Sequence, residues 1–208
     1  LGPFQLQPSE LMKIMLVLML AAWFHRASWE RVGNPFFLIP PLVLVAVPVL
    51  LIFKQPNLGT SLITLALGGV VFWSAGVRWW KFAGVIAGAV AAAPIVYANL
   101  RDYQRARITT FLDPESDPLG AGYNIIQSKI ALGSGGIWGK GFLQGTQGHL
   151  NFLPEKETDF IFTMIAEEFG LVGALGTLAL LLGVVAFCLL VALRCKHQFG
   201  RLLAIGLG

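Results

Sequence analysis

Charge is what this sequence lacks most. Asp, Glu, Lys and Arg make up 12% of its 208 residues, while the AVILMFWYC set makes up 56%. A soluble domain carries about 25% charged residues because its surface must be wetted. Half that charge cannot cover a globule, so much of the outer surface faces lipid. A cytosolic enzyme, a disordered tail and a secreted disulfide scaffold are thereby excluded. Cysteine is nearly missing too: Cys188 and Cys195 stand seven apart in one apolar run. On a helix that separation is a rise of about 10.5 Å, beyond the reach of a disulfide. Nucleotide fingerprints are absent. Trp138 sits where the last glycine of G-x-G-x-x-G would fall, and Lys140 is followed by Gly141 rather than Ser or Thr. The net charge of +4 does not point to nucleic acid, because the positions of the charges have another cause.

What is present is a series of apolar runs. A bilayer core of about 30 Å needs roughly 20 apolar helical residues. Residues 35–53, 58–77 and 82–100 supply such lengths with no charge at all. Residues 7–25 form a further span that carries Glu10 and Lys13 near its start, and residues 160–193 form one longer than a single crossing requires. The sequence thus predicts an all-α polytopic membrane protein, a helix bundle in one integral-membrane domain over 1–208, with a large loop over 101–159. The chain begins on Leu1 and stops in what reads as the first turns of another helix, so an internal piece of a longer membrane protein is expected.

Orientation follows from the short connections. Arg26, Arg31, Arg78, Lys81, Arg194, Lys196 and Arg201 fall on one side, against Lys54 in the short link on the other. The positive-inside rule places those seven in the cytoplasm and the 101–159 loop outside. Arg101, Arg105 and Arg107 then stand close to a membrane end where the rule disfavours them. They are candidates for anion binding; the alternatives are that long loops translocate regardless of charge, or that the three pair with Asp102, Asp113, Glu115 or Asp117. Within the loop, residues 123–132 alternate Ile125, Ile126, Ile130 and Leu132 with Asn124, Gln127 and Lys129, as an interfacial or re-entrant amphipathic helix would. Seven glycines follow within 133–148, which suits tight backbone packing or a mobile segment over a cavity.

Few residues carry chemistry. Glu10 and Lys13 lie one helical turn apart. They are either an interfacial pair, with Lys13 snorkelling outward, or a buried pair facing a polar cavity. Asp159 closes a polar segment where the loop becomes a helix. A carboxylate there is held by a rigid element yet reached from outside, as a general base for an extracytoplasmic substrate must be. The plainer alternative is a helix N-cap or first-turn acid. Glu167 lies about 12 Å deeper and about 80° round the helix, and Glu168 on the face opposite Asp159. One of these two must point into the bundle, as a structural partner for another polar helix. His149 with Glu155, Glu157 and Asp159 matches no metal-ligand spacing. His25 and His197 need no function at their span ends, and Trp29, Trp73, Trp79 and Trp80 read as interface anchors.

Several motifs carry a resemblance. Gln7-Pro8-Ser9-Glu10, Lys54-Gln55-Pro56-Asn57-Leu58-Gly59-Thr60, Phe111-Leu112-Asp113-Pro114 and the run Asp117 to Asn124 resemble the SEDS family (shape, elongation, division and sporulation proteins). Gly133-Ser134-Gly135-Gly136, Gly139-Lys140-Gly141, Gly145-Thr146-Gln147, Phe152-Leu153-Pro154-Glu155, Thr158-Asp159-Phe160 and Ala166-Glu167-Glu168 continue the match in family order. It covers nearly the whole chain and is closer to the rod-shape branch than to the cell-division branch. The resemblance implies a fold of about ten membrane helices, of which this piece holds roughly the fourth to eighth spans and the start of the ninth. It implies a peptidoglycan glycosyltransferase of the bacterial cytoplasmic (inner) membrane, polymerising lipid II on the extracytoplasmic face beside a class B penicillin-binding protein. The family's essential loop aspartate falls on Asp159 and its charged pair on Glu10 and Lys13. Asn57 stands where the family usually has Asp, so no carboxylate role is expected there. Glu157 stands where many members have His.

That chemistry suits the residues. An anomeric diphosphate leaving group needs Arg, Lys or a divalent cation such as Mg or Mn, and an acceptor hydroxyl needs a base within hydrogen-bonding reach. Asp159 would be that base, and Lys13, Arg101, Arg105 or Arg107 the cations. A flippase for the lipid-linked precursor and a scaffold that recruits the crosslinking enzyme are the competing expectations. The densest polar constellation lies outside rather than at mid-bilayer, where transporters bind substrate, and this favours the enzyme.

Overall fold

The computed structural model describes residues 7–55, 57–98, 105, 109–110, 113, 122–146 and 159–208. Its elements are α1 (Pro8–Phe24), α2 (Trp29–Gly33), α3 (Pro35–Lys54), α4 (Leu58–Ser74), α5 (Trp79–Ala98), α6 (Tyr123–Ser134), α7 (Ile161–Arg194) and α8 (Gln198–Leu207). Among the described residues every regular element is a helix, as the apolar runs require. The chain is a membrane protein: α3 and α7 are long and apolar enough to cross a bilayer, with mean hydropathy 2.8 and 2.7. Leu58–Ser74 and Trp79–Ile95 are apolar but shorter.

Helix starts are written in the sequence. Pro8 and Pro35 occupy the first turns of α1 and α3, where a missing N–H costs nothing. Asn34 Oδ1 accepts from the Phe36 N–H at 3.0 Å, and Asn57 Oδ1 accepts from the Thr60 N–H at 3.2 Å. Asn57 therefore caps α4, a task Asp performs equally well. Pro40, Pro41 and Pro48 lie inside α3.

The chain forms two compact units. In the first (Leu1–Ala87 with Gly183–Gly208), α1, α4 and α8 pack on one another and α3 packs on α1 and α4. Leu16, Leu20, Phe24, Val45, Val71, Phe72 and Leu202 form its core. Gly68 brings α4 against Val45 of α3, and Gly206 brings α8 against Val17 and Val71. At one end of this unit Lys81 Nζ donates to the Gly33 carbonyl at 2.9 Å, and the His25 ring meets Phe199 edge-on. The three basic connections expected on a common side are thus gathered at a common end. Trp73, Trp79 and Trp80 expose their rings, as anchors would; the Trp29 side chain lies outside the described residues. Cys188 and Cys195 are free thiols.

The second unit (Gly88–Leu182) holds α6, the glycine-rich turn after it and the first part of α7. The amphipathic stretch 123–132 is helical, within α6. The excess length of the last span has a cause that the sequence did not announce. Gly170, at φ 67° and ψ −160°, breaks α7 into a short segment, 161–169, and a long one, 171–194.

Candidate functional site

Residues 161–169 present one face inward: Thr163, Ala166 and Glu167 are buried, at the spacing of a helix stripe, and so is Gly170 at the break. Against that stripe lies the turn 135–146. A broken helix leaves carbonyls and N–H groups unmet at the break, and here the turn meets them. Lys140 N–H donates to the Glu167 carbonyl (3.1 Å) and Gly141 N–H to the Glu168 carbonyl (3.0 Å). In return Leu171 N–H donates to the Gly136 carbonyl (2.9 Å) and Val172 N–H to the Ile137 carbonyl (3.2 Å). Such an approach needs bare backbone, and Gly139 at φ +81° supplies it.

Side chains reinforce the seam. Lys140 Nζ donates to Glu167 Oε1 at 2.7 Å and to Thr146 Oγ1 at 2.9 Å, and Thr146 Oγ1 donates to the same carboxylate oxygen at 3.1 Å. Glu167 has no exposed surface, whereas Lys140 keeps 28% of its side chain exposed. Gly145 packs on the Glu167 carboxylate, and the Phe142 and Phe169 rings lie 6.1 Å apart. Removing one partner of a buried ion pair costs about 3–5 kcal/mol, because the other charge is left uncompensated. Glu167 does point inward, as one of the two glutamates had to, and among the described residues it meets a loop lysine and a loop threonine. Sequence reasoning passed over Lys140 after rejecting a phosphate loop. The signal that remained was a lone basic residue flanked by glycines in a chain carrying an inward glutamate.

Asp159 stands at the N-terminal end of this half-helix. Phe160 offers the first helical carbonyl, to the Met164 N–H at 3.1 Å, so Asp159 lies just before the cap position. It is exposed, and among the described residues its side chain forms no ion pair and no hydrogen bond. It is not the capping acid of the plainer alternative. The carboxylate is exposed, eight residues before the buried Glu167.

The other expected residues are dispersed or differently employed. Glu10 Oε1 and Lys13 Nζ pair at 2.8 Å, but the side chains are 57% and 22% exposed. Among the described residues no element covers the outer side of the first turn of α1, which leaves Glu10 more than half exposed. Arg105 turns back on α5: its Nε donates to the Tyr97 carbonyl at 3.2 Å and a terminal nitrogen to the Ala98 carbonyl at 2.5 Å, with the guanidinium 5.7 Å from the Tyr97 ring centroid. It caps a helix C-terminus, where a cation is favoured. Neither phosphate contact nor carboxylate pairing anticipated that use. Arg101, Arg107, His149, Glu155 and Glu157 lie outside the described residues. Among the described residues no group of three His, Cys, Asp or Glu is placed to hold a metal ion.

Known proteins share this arrangement of sequence. The family described as cell cycle proteins FtsW/RodA/SpoVE matches residues 1–208. The peptidoglycan glycosyltransferase MrdB of Escherichia coli K12 is 48% identical over the whole chain, which spans 56% of that protein. The probable peptidoglycan glycosyltransferase FtsW of a Synechocystis species is 42% identical over 99% of the chain and 51% of its own length. A chain of a solved peptidoglycan synthase complex, described as coordinating polymerization and crosslinking, superposes with a TM-score of 0.76 at 37% identity, over 99% of this chain and 56% of its own. The chain thus spans about half the length of the relatives it matches.

Proposed function

The chain belongs to the FtsW/RodA/SpoVE family of cell cycle proteins, and from that premise we propose that it is the part of a peptidoglycan glycosyltransferase that carries the catalytic base. The substrate is lipid II, and the product is a glycan strand laid down for cell elongation and shape. The single observation that carries the reading is Asp159: an exposed carboxylate at the mouth of a half-helix whose far end is anchored by a buried ion pair. The higher identity to MrdB than to the FtsW relatives supports the rod-shape role over the division role.

In the proposed reaction Asp159 takes the proton of the acceptor sugar's 4-hydroxyl as that oxygen attacks the anomeric carbon of the donor. The bond from that carbon to the diphosphate breaks, and the lipid diphosphate leaves with inversion at the carbon. Lys13, Arg101, Arg105 and Arg107 are the proposed counter-charges for the diphosphate, with Glu10 orienting Lys13 through their 2.8 Å pair. The gathered basic connections support an orientation with that end in the cytoplasm and Asp159 on the extracytoplasmic face of the inner membrane. The likeness to a chain of a synthase complex supports a class B penicillin-binding protein as partner. The whole chain is read as one integral-membrane domain.

The test is polymerisation by the intact protein, purified with its crosslinking partner and given lipid II. Asp159→Asn should lower the rate by about 10²–10⁴ while insertion and partner binding persist. A near-normal rate overturns the assignment and moves attention to Glu155 or Glu157. Movement of lipid II across vesicles without polymer, in the wild type, supports a flippase instead.

A further inference from the structure

We infer that the glycine-rich turn 135–146 is a splint that sets the position of Asp159, with Lys140, Thr146 and Glu167 as positioning residues. The inference rests on the role proposed above for Asp159. A helix of nine residues is too short to hold itself, and 161–169 is cut off from the long segment of α7 at Gly170. Its ladder does not continue across the break. The four backbone hydrogen bonds from the turn take the ladder's place, two on each side of Gly170. The direction in which the half-helix points, and with it the placement of Asp159 just before Phe160, is therefore decided by how the turn seats.

The charged triad makes that seat selective. Glu167 is fully buried, so its carboxylate requires a cation beside it, and Lys140 Nζ supplies one at 2.7 Å. Lys140 also carries one of the four splinting N–H groups on its own backbone. Side chain and backbone of a single residue thus lock the turn to the half-helix together. Thr146 closes the triad from the far end of the turn, donating to the same carboxylate oxygen. All three are directed at the seam between the turn and the half-helix. They act through Asp159, about eight residues and roughly 12 Å along the half-helix from Glu167.

The experiment uses the intact protein with its crosslinking partner and follows polymerisation against lipid II concentration, with amide hydrogen exchange of the turn as a second readout. Lys140→Met should lower kcat by about tenfold to a hundredfold, the scale of a misplacement near 1 Å, with KM unchanged. Exchange at Lys140, Gly141, Leu171 and Val172 should rise. Lys140→Arg, which keeps the charge, should restore most of the rate, and adding Lys140→Met to Asp159→Asn should cost nothing further. Thr146→Val removes a neutral partner, and it decides the matter if Lys140→Met fails to fold. Wild-type kcat in folded Lys140→Met and Thr146→Val, beside an inactive Asp159→Asn, overturns the inference alone. A raised KM with unchanged kcat also overturns it, in favour of substrate contact. An active Asp159→Asn removes the base and the inference together.

Discussion

Gly139 and Gly170 meet backbone to backbone: a Cβ on either would collide with the peptide of the other. Both adopt positive φ, 81° and 67°. The contact is possible only while both positions stay glycine, and it is where the loop enters the broken helix.

Gly170→Ala should therefore be among the most damaging conservative changes in the chain. Its backbone lies in a region essentially restricted to glycine, which costs about 1–3 kcal/mol for any other residue, and its Cβ would sit 2.5 Å from the Ile137 carbonyl oxygen. Gly176→Ala, in the same helix with open space around it, is the matched control. Thermal unfolding of the two variants in detergent should separate them by several degrees, and equal melting would contradict the break at Gly170.

Asn57 is predicted to act as a cap and nothing more. Asn57→Asp should leave stability and polymerisation unchanged, because the side-chain oxygen facing the Thr60 N–H is retained. Asn57→Ala should lose about 0.5–2 kcal/mol of stability. An activity change in Asn57→Asp with unaltered melting would show that the position meets substrate.

Glu10 and Lys13 should couple weakly in stability. An ion pair with one partner more than half exposed is worth about 0.2–1 kcal/mol, well below the cost of breaking a buried pair. A double-mutant cycle of Glu10→Gln and Lys13→Met, followed by both melting and lipid II turnover, distinguishes the roles. Loss of turnover with preserved melting supports a substrate-facing pair; a large coupling in melting would show that the intact protein buries it.

The arginines should divide by task. Arg105→Ala should lower the melting temperature, because the last carbonyls of α5 lose their donor. If the cluster also serves the diphosphate, alanine at Arg101 or Arg107 should raise the lipid II concentration needed for half-maximal rate, and lysine should raise it less, since lysine cannot hold two phosphate oxygens in parallel. Unchanged substrate dependence in all three variants would dismiss the phosphate role.

The sequence by itself determined the solvent of this protein and the ends of its helices. Apolar length and charge spacing are local properties measured against a bilayer, so the apolar helices, the shared end of the basic connections, the helix over 123–132 and the position of Asp159 at a helix mouth were all legible from residues alone. The caps at Asn34 and Asn57 are equally local, since each bonds an amide two or three residues on. The break at Gly170 was not legible, because Gly173, Gly176 and Gly183 lie in the same helix and stay helical. Glycine permits a break, but only the turn that arrives to satisfy the freed carbonyls and amides decides which glycine breaks. For the same reason the partner of Glu167 had to come from the tertiary structure. Burial of its carboxylate demands a cation, but only the folding of residues 135–146 onto the half-helix brings Lys140, 27 residues away in sequence, to 2.7 Å.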